Sequence, residues 1–200
     1  MKTTKKALLL ALCAVLLVVS TVFATMAYLT STTQVVKNTF TVGNVKITLD
    51  EAEVDEYGEN ENGRTTEGNE YKLIPGHTYV KDPTIHVVEK SEVCYLFIKV
   101  TNDIADIEAE GATVADQLAA NQWGVVDAAN GIYGKATPVD ARNGAVDVAV
   151  FTSITIATDA DVSAYTDKTI TVQACAIQAD GFQSMNDAWT TGLGSTFPTK

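Results

Sequence analysis

Beyond residue 40 the chain is written in short runs that alternate apolar and polar positions. Phe40 and Val42, then Val45, Ile47 and Leu49, alternate with Thr41, Lys46 and Thr48. This period of two predicts a strand with one buried face, with a bulge or tight turn at Gly43-Asn44. A second strand region follows Leu73-Ile74-Pro75-Gly76. There Pro83 holds Asp82 extended, and Thr84 to Val88 continues as a strand. Val93 to Val100 is apolar at both parities until Lys99, which predicts a strand covered on both faces. Ala145 to Ile156 reads as two strands or one bent one, and Thr169 to Ile177 as a final strong strand. Gly131-Ile132-Tyr133-Gly134 reads as a turn or a short edge. Helical spacing is confined to Thr113–Gln122, where Thr113 and Asp116 fit a loose capping box, and to single turns at Asp159–Thr166 and Met185–Trp189. Many short strands at regular spacing with few helices predict an all-β fold, an antiparallel β-sandwich of jelly-roll type with one or two short helices.

The N-terminus has a different pattern. Lys2, Lys5 and Lys6 precede an apolar run from Ala7 to Val19, which decays through Ser20 to Leu29. That is the layout of a secretory signal peptide. Thr25 and Ala27 suit the small-residue pockets of a signal peptidase, so residues 1–27 are expected to leave and Tyr28 to begin the mature chain. Val22 and Ala24 offer a second cut, after Ala24. An uncleaved membrane anchor is the competing reading, since the run is about long enough to span a bilayer, roughly 20 residues. The membrane is otherwise not an expected partner. Residues 28–42 read as an exposed polar arm, and residues 43–200 as the sandwich domain.

Composition narrows the functional classes. Of the 200 residues, 46% are hydrophobic and 20% charged, enough to bury a core. The formal net charge is -11. With the three leader lysines gone, 14 basic residues fall to 11 against 25 acidic ones, a net charge of -14. Such a surface repels nucleic acid. Much of the acid sits in one stretch, residues 51–70, expected to be a solvated, mobile loop.

Cysteine adds a question. Cys13 lies inside the leader's apolar run and reads as filler. Export permits a Cys94–Cys175 disulfide. However, Cys94 shares parity with Leu96, Ile98 and Val100, whereas Cys175 has the opposite parity from Ile170, Val172 and Ala174, so a bridge needs a bulge or strand swap.

Three stretches carry a family resemblance. The first is Thr25-Met26-Ala27-Tyr28-Leu29-Thr30 followed by Asn38-Thr39-Phe40-Thr41-Val42-Gly43. The second is Leu73-Ile74-Pro75-Gly76 with Lys81-Asp82-Pro83. The third is Cys94-Tyr95-Leu96-Phe97-Ile98-Lys99-Val100. In this order they resemble the SipW-dependent exported proteins, the TasA and camelysin (CalY) group of biofilm-matrix and surface proteins. The C-terminal half resembles them more loosely, through Val172 to Phe182 and Trp189. The resemblance implies a jelly roll, processing by a SipW-type signal peptidase, and self-association into fibres by donor-strand exchange, with other matrix proteins as further partners. The arm would then be the donor strand, with Leu29, Val35, Val36, Phe40 and Val42 as its apolar anchors. The competing reading folds the arm back as an intramolecular edge strand. The chain ends without a cell-wall sorting motif, so attachment is expected through partner proteins or self-assembly.

Enzymatic chemistry finds little support. Camelysins have been classed as metallopeptidases, but a zinc protease of the His-Glu-x-x-His kind needs two histidines on one helical face. This chain has His77 and His86, which flank Pro83 with no glutamate between them. No serine sits in a Gly-x-Ser-x-Gly elbow, and Cys94, on paper a nucleophile beside either histidine, falls in a core strand. The acidic stretch lacks EF-hand spacing. Tyr95, Phe97, Trp123 and Trp189 could form a carbohydrate platform, although aromatics in strands are more often core. No enzyme, cofactor or metal is expected. A secreted ligand- or carbohydrate-binding module is the alternative to a structural protein.

Overall fold

The computed structural model describes residues 44–198. They form ten strands: β1 (Ile47–Val54), β2 (Asn60–Thr65), β3 (Thr78–Val80), β4 (Thr84–Val87), β5 (Cys94–Asn102), β6 (Trp123–Asp127), β7 (Ile132–Lys135), β8 (Val146–Ala149), β9 (Ser153–Thr155) and β10 (Ile170–Gln178). Helix α1 (Val114–Ala120) precedes β6, and α2 (Met185–Asp187) runs into a π-helical stretch, Ala188–Gly192. No helix of the described residues is long and apolar enough to cross a membrane. All strand pairings are antiparallel, in a four-stranded sheet ordered β2-β1-β4-β8, a second ordered β10-β5-β7-β6, and a small β3-β9 ladder.

The two four-stranded sheets share one core. Val45, Ile47, Leu49, Ile85 and Val87 from the first meet Cys94, Leu96, Ile98, Ala174 and Ala176 from the second. The other face of the second sheet is also covered, as Tyr95, Phe97, Cys175 and Ile177 pack with Ala188, Trp189 and Phe197. β5 is therefore apolar at both parities because each face meets its own core. Its ladder with β10 runs unbroken from Cys94↔Gln178 to Asn102↔Ile170. A third cluster, Tyr79, Ile104, Ile107, Ile154 and Ile156, surrounds the β3-β9 ladder.

Local signals place the helices. Thr113 accepts from the Asp116 amide, and Asp116 returns the bond to the Thr113 amide, a complete capping box at the start of α1. Gln117 then ties α1 to β9, donating to the Ser153 carbonyl at 2.9 Å and accepting from the Ser153 and Thr152 amides.

Two sequence expectations are corrected. Residues 51–70 are not one solvated loop. β1 continues to Val54, β2 returns beside it, and Ala52 and Val54 are buried. The turn between them is built by Asp55, whose side chain accepts from the Tyr57 and Glu59 amides, and by Gly58 at φ 79°, where a Cβ would collide with Tyr79. Composition concealed this because Glu51, counted as solvated charge, has buried partners. The Gly131–Gly134 segment is not an edge either. β7 lies inside the second sheet between β5 and β6. Gly134 is needed there because Met185 and Phe97 occupy the space of a side chain.

Cys94 and Cys175 are free thiols. They lie on neighbouring strands, but Cys94 pairs in register with Gln178 and Cys175 with Phe97, and the two belong to opposite cores. Burial pushes both thiols up to about 12. In native mature protein both should resist a thiol reagent at mildly alkaline pH, and unfolding without reductant should release both. A titre of none after unfolding would show a bridge instead.

Candidate functional site

The second sheet ends at β10. Among the described residues β10 has one partner, β5, so its outer edge presents a row of unpaired backbone groups. Across the core β10 meets β1. Since β2 lies outside β1, the first sheet extends past the last strand of the second. The space beneath that overhang is a groove of about 1350 Å³. Its walls are Leu49 to Glu51 of β1, the chain from Thr65 to Tyr71, Leu73, Tyr79, and the β10 edge from Ile170 to Gln173 with the preceding Tyr165–Thr169. Leu49, Leu73, Ile104, Ile154, Ile170 and Val172 give it apolar patches, while Glu51, Lys81 and Asp50 line the polar side. An open strand edge along a half-apolar trough can accept one further extended segment.

The polar wall is tightly built. Lys81 donates to Glu51 Oε2 at 2.6 Å, with side chains only 8% and 10% exposed. Asn69 donates to Glu51 Oε1 at 2.9 Å and to the Ala52 carbonyl at 2.8 Å, and accepts from the Val54 amide at 3.1 Å. It thus fills the gap in the β1-β2 ladder where the register shifts between Ala52 and Val54.

A second polar row crosses the first sheet. Arg64 on β2 donates to Asp50 on β1 at 2.5 Å and to Asp82 at 2.9 Å. His86 on β4 lies 2.9 Å from Asp50 through Nε2 and 2.7 Å from Asp147 on β8 through Nδ1. Only the imidazolium can donate from both nitrogens. Burial works against its charge, but the hydrogen bonds and charges of Asp50 and Asp147 outweigh it and raise its pKa. Burial of Asp50 is likewise outweighed by His86 and Arg64, which hold its carboxyl below the ordinary range.

His77 is elsewhere, with Nε2 2.7 Å from the Tyr57 carbonyl and its ring edge-on to Tyr79. The two histidines do not converge, and the described residues contain no cluster of three or more His, Cys, Asp or Glu that could hold a metal. Tyr95, Phe97, Trp123 and Trp189 are all buried, so they form core and not an exposed platform. The expected cleavage residues Ala27 and Tyr28, and the arm anchors Leu29, Val35, Val36, Phe40 and Val42, lie outside the described residues. The groove, the Glu51–Lys81–Asn69 cluster and the His86 row were missed by sequence reasoning. The one available hint was Lys81 within an otherwise apolar-and-turn segment, opposite an excess of acid. No family model, curated protein or solved structure matches the chain.

Two titrations follow from this geometry. A raised His86 pKa stabilises the fold fully below the ordinary imidazole value of 6.5, and that contribution is lost as pH rises through the folded value. A lowered Asp50 pKa contributes above 3.8 and is lost as pH falls through its folded value. Thermal stability should therefore peak in mild acid, and His86→Gln should flatten the decline above that peak; an unchanged pH profile would contradict the bridging role. Glu108 is a buried acid whose Oε2 accepts from the Val114 amide at 3.2 Å, while its Oε1 has no partner. Burial raises its pKa. A carboxyl whose pKa is raised by burial costs the fold stability as pH rises from the ordinary carboxylate value through the folded one. Glu108→Gln should stabilise the neutral-pH protein by about 1 kcal/mol in urea unfolding, with the gain vanishing in acid.

Proposed function

We propose that the protein is a secreted structural subunit of the cell surface or biofilm matrix that assembles into fibres by donor-strand exchange. In this reading residues 28–42 of one copy, freed by a SipW-type signal peptidase, enter the groove of the next. The single observation that carries it is the β10 edge, which has no strand partner among the described residues and lies beneath the β2 overhang. An added strand would satisfy the β10 backbone groups, and alternate side chains would set its register. Leu29, Val35, Val36, Phe40 and Val42 would supply the apolar side chains for the trough. The contact is head-to-tail and does not close on itself, so it propagates. The two packed antiparallel sheets are read, more finely, as a jelly roll. The acidic surface suits a soluble exported subunit, and other matrix proteins could enter the same groove. The protein is read as non-enzymatic.

Deleting residues 28–37 from the mature protein should abolish fibres in negative-stain microscopy while leaving a folded monomer by circular dichroism. A peptide spanning residues 28–42 should bind that truncated monomer at one site and cap the growth of full-length fibres. Unchanged fibres from the deletion variant would overturn the proposal.

A further inference from the structure

The Glu51–Lys81–Asn69 cluster contains an amine, a carboxamide and a carboxylate that contacts both. Buried lysine usually requires an explanation, because its charge loses hydration and must be matched by close partners. An ion pair with Glu51 would meet that need by itself. Asn69, which fills the gap in the β1-β2 ladder, also places its carboxamide on the second oxygen of the same carboxylate. Here Oε2 takes Lys81 Nζ at 2.6 Å and Oε1 takes Asn69 Nδ2 at 2.9 Å. Asn69 Oδ1 is polarised by the Val54 N–H at 3.1 Å. The Tyr71 ring lies against the ammonium, 5.7 Å from Nζ to its centroid.

We propose that this cluster forms an intramolecular isopeptide bond between Lys81 and Asn69, with Glu51 as its catalytic acid–base. The arrangement supplies each part that acyl transfer to an amine requires: a nucleophile, a base touching it, an acid touching the leaving group, and a backbone donor on the oxygen where charge develops. The proton on Lys81 Nζ passes to Glu51 Oε2. The free amine attacks Asn69 Cγ, forming the Nζ–Cγ bond, and the negative charge on Oδ1 is held by the Val54 N–H. Glu51 then returns a proton to Nδ2 and the Cγ–Nδ2 bond breaks. Ammonia leaves and takes up the surplus proton of Nζ, so one ammonium ion is released and Glu51 ends as it began, a carboxylate. No oxidant, cofactor or external nucleophile enters. The confined geometry of a folded core replaces the activation that such a condensation needs in water.

The bond would close the chain from Asn69 to Lys81 into a ring and lock the segment that walls the groove. It is independent of the fibre reading, because it belongs to the folded monomer.

Tryptic mass spectrometry of the purified, folded protein tests it. An unlinked chain is cut after Lys81 and yields the separate peptides 65–72, 73–81 and 82–90. A linked chain resists cleavage at Lys81 and yields 65–72 joined to 73–90, lighter than its parts by one ammonia. The linked pair is expected in the wild type and should be absent from Glu51→Gln and from Lys81→Met. A wild type fully cleaved at Lys81, with no joined pair, overturns the proposal; a joined pair that persists in Glu51→Gln overturns the role of Glu51.

Discussion

Burial of the β5–β10 ladder on both faces is the constraint from which the other features follow. One face meets Ile47, Leu49, Ile85 and Val87 of the opposite sheet, and the other lies under Trp189 and Phe197. Cys94 to Ile98 and Ala174 to Ile177 are buried on both faces, whereas Thr101, Thr171 and Gln173 at the other end of the nine-pair ladder are exposed, and the free backbone of the ladder lies along its β10 margin. β7 pairs with β5 on the inner side, and the outer backbone groups of β10, like those of the other terminal strands β2, β6 and β8, have no strand partner among the described residues. A long, regular strand edge is a template for another chain unless something blunts it. The first half of β10 carries no proline and no charge. It is sheltered by the overhanging first sheet, which leaves room for an added segment and shields the edge from indiscriminate pairing.

The same overhang explains the unusual chemistry on its inner wall. β1 is pulled away from regular pairing between Ala52 and Val54, and the freed backbone groups are taken by Asn69. Placing Asn69 there brings its amide onto Glu51, and Glu51 in turn holds Lys81 against the Tyr71 ring. Charge is buried where the sheet is irregular, and partner groups balance it there. The outer row of Arg64, Asp50, His86 and Asp147 spans β2, β1, β4 and β8, with Asp82 at its margin, so the four strands are linked by charge as well as by backbone bonds.

Much of the fold was legible because its signals are local. Both-parity burial of Cys94 to Ile98 announced a strand between two cores, and Thr113 with Asp116 announced a helix start. The opposed parities of Cys94 and Cys175 argued against a bridge without a bulge or strand swap. What could not be read depends on partners distant in sequence. Glu51 looked solvated because Lys81 is 30 residues away. Gly131 and Gly134 looked like a turn because the need for glycine at 134 comes from Met185 and Phe97. The groove was invisible for the same reason: it arises from strand order, with β2 outside β1 and β10 outside β5, and no alternation of residue types encodes that order.

Hydrogen–deuterium exchange on monomer and assembled protein tests the strand-edge account most directly. Peptides covering Ile170–Gln173 should exchange readily in dilute monomer and gain strong protection on assembly, together with residues 28–42, while the β5 amides stay protected throughout. Assembly that leaves the first half of β10 as exchangeable as before would contradict the account.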